Sequence, residues 1–390
     1  MSTNYSKYNF DDIRPFNNDE VPDAIETLIS LPGLKHAMYY IMPDLNWEQF
    51  IESLRMCKTK EMFKSLLSYN AVMEIAKKTT FSLTLSGRSR IPENQPSTFI
   101  SNHRDIVLDA AFLNTLLHDV GLGMTQIAIG DNLLIHPWIK TIVRLNNCFI
   151  VKRDLAVRQL LKSSVQLSAY IHHTINDLKE SLWIAQREGR AKDSNDRTQA
   201  SVLKMLNLAG EHNNPLNNLM ELHVVPITIS YEYDPCDFLK AKEFQQKRDN
   251  PDFVKSKRDD LLNMETGILQ DKGRVHFTIG LPINDRLALL KDENLDKNAL
   301  ITAIADIIDR EIYRNYRFYP CNYVAYDLLH QSLRFRTNYD QRDKMHFENY
   351  LKKQIDLIND LPNKDESYIR TKILEMYSNP LQNHLNTIET

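Results

Sequence analysis

Apolar residues fall at two spacings along this chain. From Pro22 to Lys78 they recur every three or four positions: Phe50, Ile51 and Leu54 form one set, and Met62, Phe63, Leu66 and Leu67 another. That spacing gathers them on one face of an α-helix. Asn46 and Gln49 form a capping pair that predicts the start of the helix through Met56. At Phe81 the period drops to two. FSLTLSG alternates and ends on Gly87, which predicts a strand running into a turn. The first ~20 residues show neither pattern and predict a flexible arm.

Beyond Gly87, short apolar runs alternate with helical stretches. STFIS (97–101), TQIAIG (125–130), CFIVKR (148–153), SLWIAQ, ELHVVPITISY and RVHFTIGLPI predict strands. DAAFLNTLLHDVG (109–121), HPWIKTIVRL and the segment from Leu155 to Glu180 predict helices, as does a charged excursion over 235–271. A polar loop occupies 187–199. This rhythm predicts an α/β fold, a central mixed sheet flanked by helices. It divides the chain into an arm with N-terminal helices (1–78), an α/β domain (79–290) and a helical C-terminal extension (291–390). No internal repeat or low-complexity tract interrupts it.

Composition adds bounds. The 390 residues are 42% hydrophobic and 25% charged, enough for a large core. A net charge of −3 argues against a protein defined by nucleic-acid binding. Cys57, Cys148, Cys236 and Cys321 lie too far apart for metal or redox motifs, so a reducing cytosol is expected. The opening MSTNYSKYNFDDIRPF lacks the apolar core of a signal peptide. No window approaches the roughly 18 uninterrupted apolar residues of a membrane span. A soluble or membrane-surface protein is expected.

The segment ISNHRDIVLD (100–109) is the richest in chemistry. Its His-Arg-Asp matches a kinase catalytic loop, but the asparagine that loop needs five residues after the aspartate is Ala110 here. GLGMTQ (121–126) follows the tripeptide instead of preceding it, and GDN (130–132) stands where Asp-Phe-Gly would be sought. The kinase reading fails. Acyl transfer to a hydroxyl needs a base and a partner that fixes the base's tautomer. His103 can be that base, with Asp109 or Asp105 as orienter, at the end of a strand where α/β proteins expose reactive groups. The same residues can also serve as a helix cap or a surface pair.

Four stretches in order resemble the glycerolipid acyltransferase superfamily, over roughly residues 80–285. FISNHRDIVLD resembles a strand leading into Asn-His-x4-Asp. IGDNLLIHPWIKTIVRLNNCFIVKR resembles the second block, AQREGRAKDSNDRTQ a Glu-Gly-x-Arg-Ser block, and VVPITISYEY a Val-Pro-Val block. GRVHFTIGLPI is similar to the strand that closes the family's domain. The resemblance implies an O-acyltransferase of phospholipid biosynthesis, acting on glycerol-3-phosphate or a lysophospholipid. It implies His103 as base and Asp109 as orienter. The spacing here is His-x5-Asp, however, and Asp105 is the alternative.

Further roles follow from the resemblance. Arg153, Arg190 and Lys192 would meet an acceptor phosphate, which suits arginine's planar fork. Glu188 would hold the loop or accept a hydrogen bond from the acceptor, and Gly189 would allow a tight turn. Pro226 would shape a strand. The third block is one residue short, since Arg190 directly follows Gly189. No bound cofactor and no metal is implied; acyl-CoA or acyl-acyl carrier protein would be co-substrate. A non-phosphorylated hydroxylated lipid as acceptor, or a catalytically silent interaction protein on the same fold, are the alternatives.

Between Lys140 and Lys162 the chain carries Lys140, Arg144, Lys152, Arg153, Arg158 and Lys162 against Asp154, a local net charge of +5. Such a patch can hold anionic lipid headgroups at about 1 kcal/mol per basic residue, or be a solvated face. HAMYYIMPDLNW (36–47) can dip into a membrane interface or pack on the core. A peripheral place on the cytoplasmic membrane face is expected, with anionic lipid and acyl carrier protein as partners and no nucleic acid.

Overall fold

The computed structural model describes residues 4–153, 155–210, 212 and 214–388. Its strands are β1 (Ser82–Ser86), β2 (Thr98–Ser101), β3 (Gln126–Gly130), β4 (Cys148–Val151), β5 (Leu182–Ala185), β6 (Val224–Tyr231) and β7 (Arg274–Ile279). They form one seven-stranded sheet in the order β1-β7-β6-β2-β5-β3-β4. Every neighbouring pair is parallel except β6 and β7. The expected α/β fold with a mixed sheet is the one found. β6 is buried along its whole length, so it has no solvent face to be polar on. Pro226 sits in it opposite Ile100.

Parallel strands end on the same side. The segments that begin at Asn102, Asp131, Lys152, Gln186 and Glu232, after β2 to β6, therefore leave the sheet along one edge. In open α/β sheets that edge is where ligands bind.

Alternate strand residues feed two cores. Ile100, Ile150 and Ile184 pack with Tyr170 and Ile308, from the helices Val157–Asn176 and Lys297–Arg314. Phe99, Trp183 and Val225 face the other way, toward Ile75 and Phe112 from the helices Tyr69–Thr79 and Leu108–Asp119. The N-terminal helices Val21–Ser30, Pro32–Ile41 and Trp47–Arg55 build a cluster that takes in Leu145. Asn46 accepts the Gln49 N–H, as its place before that last helix predicted. HAMYYIMPDLNW packs inward at Met38, while Tyr40 stays 55% exposed. Near the C-terminus, the helices Pro320–Leu329, Gln341–Asp356 and Glu366–Ile388 enclose a cluster that reaches Ala241.

Residues 4–20 are not the flexible arm that the lack of a periodic pattern predicted, and residues 1–3 of that arm lie outside the described residues. Ile13 is 2% exposed, and its carbonyl accepts the Ile150 N–H of β4 at 2.8 Å. Asp12 pairs with Lys152, and Arg144 donates to the carbonyls of Arg14 and Asp11. β4 lies at one end of the sheet order, and an uncovered strand edge is an aggregation hazard. The arm covers that edge and takes up two cations of the basic segment. Lys140, Arg158 and Lys162 stay exposed, and Asp154 lies outside the described residues. No helix among the described residues is long and apolar enough to cross a membrane.

Candidate active site

β2 ends at Ser101, yet the next side chain continues its ladder. The Asn102 amide donates to the Ile229 carbonyl at 2.9 Å and accepts the Ile229 N–H at 2.8 Å. His103 follows from that fixed point. Its Nδ1 lies 2.8 Å from Asp109 Oδ2, and the same oxygen accepts the backbone N–H of Arg104 at 2.6 Å and of Asp105 at 3.1 Å. An oxygen on which two N–H donors converge is an acceptor, so Nδ1 donates to it, and in the neutral ring that arrangement puts the lone pair on Nε2. The ring meets Trp183 edge-on at 5.6 Å, and the indole N–H is itself held by Ser101 Oγ at 3.0 Å. Asp109 is fully buried, while the His103 side chain is 13% exposed.

Asp105 does different work. Its Oδ1 accepts the N–H of Val107 at 2.9 Å and of Leu108 at 2.7 Å, capping the entry to the helix Leu108–Asp119. Burial, and then the neighbouring Asp109 charge, raise its pKa. Of the two carboxylates considered, Asp109 is the histidine's partner. The extra residue in His-x5-Asp is absorbed by a turn at Ile106 and Val107.

His103 stands in the wall of a cavity of about 720 Å³, within the usual size of a ligand pocket. Most of the wall is apolar: Met38, Ile41, Val72, Ala111, Ile127 and Val143 contribute to it. A five-residue π-helical stretch, Lys64–Ser68, adds Lys64, Leu67 and Ser68; such bulges are frequent at functional sites. The polar part comes from the sheet edge, where Arg153, Arg187, Glu188 and Gly189 share the cavity with His103.

A family model described as Acyltransferase matches residues 82–230, the stretch that supplies the His103–Asp109 pair and this polar wall. Those residues form an acyltransferase domain. The sequence blocks that resemble the glycerolipid acyltransferase superfamily fall largely within this stretch. Among solved structures, the 1-acyl-sn-glycerophosphate (LPA) acyltransferase PlsC from Thermotoga maritima is similar over 76% of this chain and 93% of its own, at 10% identity and a TM-score of 0.35. At that distance nothing is transferred from it. A comparison with curated proteins finds no match.

The acyltransferase domain treats the remaining sequence candidates unequally. Arg153 and Glu188 face each other at 3.8 Å on the cavity wall beside Gly189. Gly130 makes room for Arg153, since a Cβ there would lie 2.8 Å from its Nε. Arg190 and Lys192 are not on that wall. Arg190 donates to Asn263 Oδ1 at 2.9 Å, and Lys192 pairs with Glu243. Burial lowers the Lys192 pKa to about 8 even with Glu243 beside it. Gly189 is left-handed at φ +67, and with no residue between it and Arg190 the arginine follows the turn away from the cavity.

Two wall residues escaped the sequence reading. Arg187 lines the cavity, and its buried Nε finds no hydrogen-bond partner. Its signal was a cation in the second position past the interior strand β5. Trp183 read only as a strand residue, though it borders the histidine ring. The four cysteines are buried and unpaired, and no metal-binding group of three or more His, Cys, Asp or Glu occurs among the described residues.

Proposed function

We propose that the protein moves a fatty acyl group from a thioester, on coenzyme A or acyl carrier protein, to a hydroxyl of glycerol-3-phosphate or a lysophospholipid. The observation that carries the reading is one nitrogen: His103 Nε2, bare at the wall of an apolar cavity while Nδ1 is tied to Asp109. In this mechanism Nε2 takes the hydroxyl proton as the oxygen attacks the thioester carbonyl. The C–S bond then breaks, and the thiolate leaves with the proton that His103 returns. Asp109 keeps the ring in the reactive tautomer and stabilises its cationic form.

The acyl chain lies among Met38, Ile41 and Val72. Each buried methylene contributes about 0.8 kcal/mol, so the chain supplies much of the affinity and the polar wall the selectivity. Arg153 and Arg187 hold the acceptor phosphate. The exposed Lys140, Arg158 and Lys162 support attachment to an anionic membrane surface on its cytoplasmic side. A second reading, acylation of an uncharged hydroxylated lipid, is favoured by the retreat of Arg190 and Lys192 from the cavity.

The test offers labelled acyl-CoA and labelled acyl-acyl carrier protein separately, each with glycerol-3-phosphate, a lysophospholipid and an uncharged monoacylglycerol. Mass spectrometry identifies the ester. A phosphorylated product that is lost in His103→Ala is expected. Product from the uncharged acceptor alone selects the second reading. No product in any combination overturns the enzyme reading and leaves a catalytically silent interaction protein.

A further inference from the structure

The residue after the proposed base is tied down at three points. The Arg104 N–H goes to Asp109 at 2.6 Å, its carbonyl accepts from Lys240 Nζ at 3.2 Å, and its guanidinium grips Asp196 with two bonds, at 2.9 and 2.5 Å. Arg104, Lys240 and Asp196 are at most 5% exposed. A buried ion pair of this kind adds little net stability compared with apolar packing, but breaking it on one side leaves an uncompensated charge. What it does supply is a fixed direction for the backbone that carries His103.

Both side-chain anchors lead to the same place. Asp196 accepts the Tyr316 hydroxyl on Oδ2 and the Tyr313 hydroxyl on its carbonyl. Lys240 pairs with Asp234, whose N–H donates to the Tyr377 hydroxyl at 3.0 Å. Tyr377 and Tyr350 both donate to Asp237 Oδ2, at 2.8 and 2.7 Å. Tyr313, Tyr316, Tyr350 and Tyr377 all lie after residue 296, outside the matched acyltransferase domain. The loop from Asn102 to Asp105 has no helix or strand of its own. Its geometry depends on these anchors.

We infer that the C-terminal helices position the His103–Asp109 pair through Arg104, with Asp196, Lys240 and Tyr316 as positioning residues. This rests on the acyl-transfer reading above. A catalytic base displaced by a fraction of an ångström loses rate while substrate affinity persists, because orientation acts on the transition state.

The test compares Tyr316→Phe, which removes one hydroxyl, with Tyr339→Phe. The Tyr339 hydroxyl bonds Asp327 at 3.0 Å in the same extension, with no tie to Arg104. Two readouts are taken in the full-length protein: kcat and KM for acyl transfer, and the exchange rate of the His103 Nδ1 proton by NMR, assigned through its loss in His103→Ala. Tyr316→Phe is expected to lower kcat about tenfold with KM nearly unchanged, and to speed exchange of that proton. Tyr339→Phe is expected to leave both as in wild type. Equal effects in the two variants, or an unchanged proton signal in Tyr316→Phe, would overturn the inference. Should the wild type transfer no acyl group, the reading above fails, and the proton signal still decides whether the extension positions His103.

Discussion

Asp105 lies so close over Gly267 that a Cβ on that glycine would stand 1.9 Å from Asp105 Oδ2. The glycine sits inside the helix Lys257–Leu269, where alanine would ordinarily gain about 1 kcal/mol from helix propensity. Here it would displace a buried carboxylate that caps the helix leaving the His103 loop. Gly267→Ala is therefore expected to lower thermal stability and to reduce acyl transfer. A stabilised, fully active variant would show that the loop tolerates movement of Asp105.

The two carboxylates near His103 separate by function. Asp109→Asn replaces an acceptor facing Nδ1 with an amide and disturbs the tautomer, a change that costs on the order of 10²–10⁴ in kcat in comparable dyads. Asp105→Asn keeps an oxygen for the Val107 and Leu108 N–H groups, so its kcat is expected to stay within about threefold of wild type. Steady-state rates of the two variants decide the assignment, and a larger loss in Asp105→Asn would reverse it.

Selectivity for a phosphorylated acceptor is assigned to the cavity wall. Arg153→Ala and Arg187→Ala should each raise KM for that acceptor about tenfold, as loss of a charge-assisted hydrogen bond does. Arg190→Ala breaks the bond to Asn263 and should act on stability, leaving that KM close to wild type. A KM rise seen only in Arg190→Ala would mean that the loop rearranges when substrate binds.

Asp237 predicts a pH signature. Burial raises its pKa from the ordinary 3.8 to about 7, with the Tyr350 and Tyr377 hydroxyls acting in the opposite direction. Between those values the folded chain holds a proton that the unfolded chain has released. This contribution to stability therefore falls as pH rises from about 4 to 7. The difference is worth at most on the order of 4 kcal/mol. Asp237→Asn should gain stability relative to wild type between pH 5 and pH 8, read from urea unfolding at each pH. A constant difference between the two proteins would refute the shift.

Local pattern made much of this protein readable in advance. Period-two runs such as FSLTLSG and helical runs such as Phe50 to Leu54 became the elements they announced, because burying one face is a demand that each segment carries in its own spacing. His103 was legible for a similar reason: the imidazole, the strand before it and the carboxylates after it all lie between Thr98 and Asp109. Which carboxylate it uses was not. The turn at Ile106 and Val107 swings Asp109 back onto Nδ1, and only the folded path of the chain sets that distance.

The sequence by itself determined the alternation of strands and helices, the mixed α/β class and the place of His103 at the end of a strand with two carboxylates close behind it. The tertiary structure decided that the segment around Ile13 covers the edge of β4, that Arg187 faces the cavity while Arg190 leaves it, and that Arg104 is anchored through Asp196 to Tyr316. The physical reason is separation along the chain. A hydrophobic period acts between near neighbours, whereas an edge in need of cover or a buried charge in need of a partner is met by residues far off along the chain, as Ile13 meets Ile150 and Thr79 meets Lys272.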